Sequence, residues 1–255
     1  MNLVKLAQEA VSIGESRKYV TRSGRINQLP KERGSTYHPP DQPLRELPQR
    51  RRDTVIEVTE ESTLACLGRH RHPVLRIAAL NFASAKNPGG GFLRGTKAQE
   101  ESIARASTLY AGIKGSPYYE ANTFHPGLYT DGIIWSPEVW VFRDDHGFLL
   151  DEPYSGAFIT SPAVNHNSLR SGDLSQVQAV MVRRGRRILE VASHYMVDTL
   201  ILGAWGCGVF GNDPSFVAQM FANHLNGDFN GVFGKVVFPI YGGGGSHRAF
   251  KAVFK

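Results

Sequence analysis

The sequence predicts an α/β fold: a three-layer α/β/α sandwich around a mixed sheet, preceded by a basic accessory segment. Three observations carry that expectation. From Thr54 onward, short apolar runs of strand character alternate with longer runs of helical period, the pattern of a layered α/β sheet. Charge is unevenly placed: residues 1–52 hold 11 Lys and Arg against 5 Asp and Glu, residues 53–255 hold 18 against 18, and so the whole net charge of +6 lies in the first fifth. The 41% hydrophobic content is spread in short runs, none near the roughly eighteen apolar residues of a membrane span.

Taken in order, Leu3, Leu6, Ala7, Ala10 and Val11 share one helical stripe that Gly14 ends. KYVTRSGRINQL folds as a hairpin turning at Ser23-Gly24, and residues 28–52, rich in proline and charge, form an irregular connection. Residues 54–58 then predict a strand, 62–70 a helix, 74–82 a strand and 98–110 a helix. A long insertion with little periodicity covers 111–137 and contains Tyr118, Tyr119 and Tyr129. Strands follow at 139–143 and 156–161, the longest helix at 174–195, a strand at 198–204, a helix at 215–225, a strand at 235–240 and a closing helix at 246–254. The expected organisation is an accessory segment over 1–52, packed on a core over 53–255.

Several function classes recede on this reading. The start, MNLVKLAQEAVSIGESRK, has no apolar core of a secretory signal. Cys66 and Cys207 are the only two cysteines, too few and too far apart for a disulfide framework or a zinc cluster. The expectation is a cytoplasmic monomer with no metal, no cofactor and no membrane partner. A basic arm beside a neutral body suits a polyanionic partner through steering and counterion release, and suits a merely solvated surface as well.

Two glycine loops mark where a ligand would lie. The first, NPGGGFLRGTKAQEES, follows the strand ending at Phe82; the second, GAWGCGVFGNDP, follows the strand at 198–204. Both leave the carboxyl end of a strand, where open α/β sheets bind ligands, and glycine lets successive amides approach anionic oxygens closely. Gly206-Cys207-Gly208-Val209-Phe210-Gly211 matches G-x-G-x-x-G, but a dinucleotide fold places that motif in its first βαβ unit and not so near the end of the chain. Neither a Walker sequence nor GxSxG occurs.

Gly89-Gly90-Gly91, a seven-residue spacer and Gln99-Glu100-Glu101, preceded by Asn81-Phe82-Ala83, strongly resemble the signature of poly(ADP-ribose) glycohydrolases of the compact bacterial type. GAWGCGVFGNDP and ITSPAVN at 159–165 look like further segments of that branch. The resemblance spans about Thr54 to Phe250 and implies a macrodomain, with ADP-ribose in a cleft across the strand ends. It implies Glu101 as the catalytic carboxyl, with Glu100 and Gln99 positioning the riboses. It further implies that Gly206, Cys207, Gly208, Val209, Phe210 and Gly211 hold the diphosphate, Phe210 packing on the terminal ribose. Gly89, Gly90 and Gly91 would adjoin the substrate, and Asn81 and Asn87 are candidates for ribose hydroxyls. The implied partners are poly(ADP-ribose), ADP-ribose and ADP-ribosylated carrier proteins, with no need for direct DNA binding.

Breaking a ribose–ribose bond develops an oxocarbenium-like centre. One glutamic acid can protonate the departing oxygen and then deprotonate the arriving water, while the bound diphosphate offsets positive charge. Neighbouring helical residues diverge by about 100°, so only one of Glu100 and Glu101 is expected to act on the bond. Two other readings stand beside this one: a reader that binds ADP-ribose without cleaving it, and a hydrolase of another ADP-ribose derivative such as protein-linked mono(ADP-ribose). Outside the loops, Tyr118 and Tyr119 are either loop packing or an adenine platform, Cys207 is a small thiol under the loop rather than a nucleophile, and His70 and His72 belong to a solvated helix end. The arginines at 183, 184, 186 and 187 read as an exposed helix face.

Overall fold

A computed structural model describes residues 2–48, 52–169 and 171–254. The chain begins with α1 (Leu3–Ser16), whose first turn is capped by the Asn2 side chain accepting from the Lys5 amide, and continues into a small antiparallel pair, β1 (Lys18–Val20) and β2 (Ile26–Gln28). The core then runs β3 (Thr36–His38), β4 (Val55–Thr59), α2 (Thr63–His70), β5 (Ile77–Phe82), α3 (Gln99–Ala106), α4 (Leu109–Ile113) and α5 (Tyr118–Ala121). It closes with β6 (Ile133–Arg143), β7 (Leu149–Ser161), α6 (Val177–His194), β8 (Thr199–Ile201), α7 (Pro214–Asn226), β9 (Lys235–Pro239) and α8 (Gly244–Val253).

Seven strands form one mixed sheet in the order β3-β6-β7-β5-β8-β9-β4. The five from β7 to β4 are mutually parallel, and β6 and β3 add antiparallel at one edge. Alternation along β5 separates the two faces. Ala78 and Leu80 join the core under α6, α7 and α8, whereas Ile77 and Ala79 join the core under α2, α3, α4 and α5. Because β5 has parallel neighbours on both sides, its carboxyl end at Asn81-Phe82 opens in the middle of the sheet. The three-layer α/β arrangement is the one the sequence predicts.

Local pattern misplaced several elements. β3 lies inside the segment expected to be irregular and pairs with β6 from Thr36↔Trp135 to His38↔Ile133. β6 itself starts at Ile133, inside the expected insertion. The misleading residue is Pro137, which the strand accommodates where its register with β7 shifts between Ser136 and Val139. α5 also falls within that insertion, and residues 171–176 form a 3₁₀ turn, so α6 begins at Val177 rather than Leu174.

The arginine cluster of α6 is the clearest reversal. Arg184 is fully buried; it pairs with Asp131 at 2.9 Å and donates to the carbonyls of Pro162 (2.8 Å) and Leu128 (2.7 Å). Arg187, also buried, donates to the carbonyls of Pro39 (3.1 Å) and Gln42 (2.7 Å). Two of the four arginines therefore fasten loops to the core rather than face water. The accessory segment is likewise engaged: Ala7 of α1 packs with Phe92 and Ala104, and Ile13 with Tyr19, Leu29 and Phe142.

Candidate active site

In the glycine run, position 90 has no side chain because two carboxyl groups occupy the space beside it. Gly90 has φ +60°, and a Cβ there would lie 2.9 Å from Glu101 Cδ and 3.1 Å from Glu100 Oε2. A side chain at position 90 would thus be strained in its backbone and would displace the acid pair. Both carboxyls come from the first turn of α3. Although adjacent residues diverge around a helix, their side chains bend back toward the same glycine.

The two acids are held differently. Glu101 Oε1 accepts from the Gly91 amide at 2.9 Å. Glu100 is enclosed: Oε2 accepts from the Ser84 amide at 2.7 Å and Oε1 from Asn81 Nδ2 at 3.3 Å. Burial pushes the Glu100 pKa up to about 8, with the Glu101 charge adding to the rise and the Ser84 and Asn81 donors opposing it. Asn81 is itself buried; Nδ2 also meets Thr160 Oγ1 at 3.3 Å, and among the described residues Oδ1 has no partner.

Gln99 anchors this turn to the sheet. Its Nε2 donates to the Leu80 carbonyl (2.7 Å) and Thr63 Oγ1 (3.1 Å), and its Oε1 accepts from the Phe82 amide (2.9 Å). Its amide is committed to β5 and α2. Asn87 is exposed, and its backbone supports the turn: its N–H donates to Ser84 Oγ (3.1 Å) and its carbonyl accepts from the Gly90 amide (2.9 Å).

The second loop is built around an asparagine that lies just outside the motif. Asn212, 6% exposed, donates to the Gly206 carbonyl (3.0 Å) and the Val164 carbonyl (2.8 Å), pinning the loop to the segment after β7. Asn167 Nδ2 holds the Val209 carbonyl at 3.0 Å, and Trp205 Nε1 donates to the Ser161 carbonyl at 3.2 Å. ITSPAVN thus lies directly beside GAWGCGVFG. Gly206, at φ +76°, could not carry a Cβ, which would stand 2.7 Å from Asn212 Nδ2; a Cβ on Gly208 would meet nothing within 4 Å. Val209 is largely exposed, and Phe210 packs partly on the core at 6.4 Å from the Tyr129 ring. Burial pushes the Cys207 thiol up to about 12, and its Sγ contacts the Trp205 carbonyl at 3.6 Å, surroundings that disfavour the thiolate.

A cleft of about 730 Å³ runs along this side of the molecule. Gly206, Cys207, Gly208, Val209 and Phe210 line it together with Phe82 and Gln99, and Ile240 and Tyr241 lie at another part of its wall. Glu100, Glu101, Asn81, Asn87, the three glycines at 89–91 and Gly211 do not form part of its wall, although Gln99 and Ser102 on either side of the acid pair do. Tyr118 is core and touches Tyr119 edge-on; neither lines the cleft. Among the described residues, no group of three or more His, Cys, Asp or Glu side chains could hold a metal ion.

A sequence model described as "microbial-type PARG, catalytic domain" matches residues 7–144, which contain the glycine–glutamate signature. The chain belongs to the microbial-type poly(ADP-ribose) glycohydrolases. The crystal structure of poly(ADP-ribose) glycohydrolase from Thermomonospora curvata is 40% identical, covers 99% of both chains and superposes with a TM-score of 0.89. The same enzyme bound to the inhibitor ADP-HPD covers 98% of both chains at 40% identity, with a TM-score of 0.88. The Deinococcus radiodurans poly(ADP-ribose) glycohydrolase in complex with ADP-ribose is 44% identical over 79% of this chain and 84% of its own, with a TM-score of 0.75. No curated relative matches.

Membership in the glycohydrolase family makes the chain a glycosidase. It also separates the site residues legible as a motif from those only the fold supplies. Asn212, which pins the second loop, had no motif to announce it. Asn212 had a weak local signal, an asparagine directly after the glycine hexapeptide and before Asp213-Pro214, which resembles a helix cap; Asp213 is the actual cap of α7.

Proposed function

We propose that this glycohydrolase cleaves ribose–ribose bonds of poly(ADP-ribose), mainly from the free end, and releases ADP-ribose, with Glu101 as the catalytic carboxyl. The observation that carries the assignment is the acid pair folded against Gly90, with Glu101 Oε1 accepting from the Gly91 amide. Glu101 would protonate the departing ribose oxygen and then take a proton from water. Glu100, enclosed and doubly bonded, would orient its neighbour and the ribose, and the unpartnered Asn81 Oδ1 is suited to accept a ribose hydroxyl.

The remaining substrate follows the cleft. Amides of 206–211 would hold the diphosphate, the open space at Gly208 leaving room for it, with Phe210 against the terminal ribose. Ile240 and the exposed ring of Tyr241 offer an apolar and aromatic surface for the adenine. Gln99 would act through the anchoring of α3 and through its place in the cleft wall. Asn87, exposed on the turn, would meet only the outer ribose. We place the protein in the cytoplasm as a monomer acting on ADP-ribosylated carrier proteins; among the described residues no helix is long and apolar enough to cross a membrane.

Incubation of the purified chain with labelled poly(ADP-ribose), followed by identification of the product, tests this reading. Free ADP-ribose as the accumulating product supports it. Binding without product would leave a reader, and release only from mono-modified protein would leave a hydrolase of a different linkage.

A further inference from the structure

Arg143, at the end of β6, is 2% exposed, stands in the wall of the cleft and has no part in the chemistry above. Its guanidinium donates to the Arg105 carbonyl in the last turn of α3 and to the Leu6 carbonyl of α1 at 3.4 Å, and pairs with the Glu9 carboxylate of α1. Arg105 in turn donates to the Thr96 carbonyl at 2.8 Å, tying the last turn of α3 back to the segment that leads into its first. From the same α1, Ala7 packs against Phe92 and Ala104. A helix of this length spans about 12 Å, and it carries Glu100 and Glu101 at one end and this cation-held carbonyl at the other.

For stability alone the arrangement is a poor one. Burying a guanidinium is costly, an apolar side chain often serves as well, and Arg143 Nε has no partner among the described residues. Among the described residues, every hydrogen-bond acceptor of the Arg143 guanidinium belongs to α1 or α3, while its one ring contact is with the adjacent Phe142 of β6. We propose that Glu9 and Arg143 are positioning residues, through which the accessory helix α1 sets where α3 presents Glu101 to the Gly91 amide. The proposal rests on the reading of Glu101 as the catalytic carboxyl. A short helix moves as a rigid body, so loosening its C-terminal clamp displaces the carboxyl at its start. The diphosphate loop at 206–211, held by Asn212 and Asn167, is untouched.

The experiment compares Arg143→Met, Arg143→Lys, Glu9→Gln, Glu9→Asp and Glu101→Gln in the full chain. It measures kcat and KM on labelled poly(ADP-ribose), ADP-ribose Kd by calorimetry, and Tm. Arg143→Met and Glu9→Gln are expected to lower kcat about tenfold or more, since displacements near 1 Å are that costly. For Glu9→Gln, whose side chain is not part of the cleft wall, ADP-ribose Kd should stay within about twofold, the diphosphate loop being intact. Arg143→Lys and Glu9→Asp should recover part of the loss. Wild-type kcat in both disruptive variants, with or without a lower Tm, overturns the proposal, as does a Glu9→Gln Kd that worsens in step with kcat. If Arg143→Met does not fold, Glu9→Gln carries the test, its side chain being 46% exposed. A Glu101→Gln variant that still turns over would sink the catalytic assignment itself. An inactive Glu101→Gln beside normal positioning variants would sink only the positioning role.

Discussion

Glu100 is enclosed by the Ser84 amide, Asn81 and Glu101, and burial pushes its pKa up to about 8 from an ordinary 4.5. The folded protein therefore holds more protons than the unfolded chain between those two values. The stability due to Glu100 is complete below the lower one, declines as pH rises and is lost above the upper one. Glu100→Gln should match wild type in melting temperature near pH 4.5 and exceed it above pH 8. Equal melting temperatures at both ends would show that the carboxyl is not buried in neutral form. Glu101→Gln should cost about 10²–10⁴-fold in turnover, the usual contribution of a general acid–base group, with ADP-ribose still binding in calorimetry. Retained turnover would remove Glu101 from the chemistry.

Loops and helices show a different division of labour. Gly206→Ala forces a Cβ into the Asn212 amide at a left-handed backbone angle; its melting temperature should fall before any question of ligand arises. Gly208→Val meets open space, so the variant should fold as wild type yet bind ADP-ribose much more weakly. Calorimetry on the folded variant checks this, and unchanged affinity would take the second loop out of the ligand site. In α6, Arg184→Met would strip Asp131 of its buried partner, leaving it only the exposed Arg183 among the described residues, and would take the donor from the Pro162 and Leu128 carbonyls. Breaking a buried pair in this way costs about 3–5 kcal/mol. Denaturant unfolding should register it, and a loss below about 1 kcal/mol would mean that solvent satisfies the freed groups.

Over the whole molecule the charge asymmetry stands, but its members differ. Arg52 pairs with Asp198 at 2.9 Å, so its removal belongs to stability; Arg50 and Arg51 lie outside the described residues. A polyanion contact in this arm is therefore best sought with Arg50→Gln and Arg51→Gln together. Affinity for long poly(ADP-ribose) should drop more than affinity for monomeric ADP-ribose, and the gap should close as salt rises. Equal responses of both ligands at low and high salt would mark the arm as solvated surface.

The sequence by itself determined the α/β class and the place of both loops, because the signals are local. Periodicity is read within one element, and Asn81, the glycines and Gln99-Glu100-Glu101 fall within a single strand–loop–helix unit. The tertiary structure alone decided what depends on distant partners. β3 is a strand only because β6 offers its edge, and Pro137 hid the first half of β6 from any local pattern. Arg184 is interior because Asp131 and the Pro162 carbonyl meet it, and Arg143 because α1 and α3 close over it. Both acids of α3 reach the same glycine because side-chain direction, unlike helical phase, is set by what surrounds it. Burial and charge compensation depend on groups brought from far along the chain, and no window of sequence contains them.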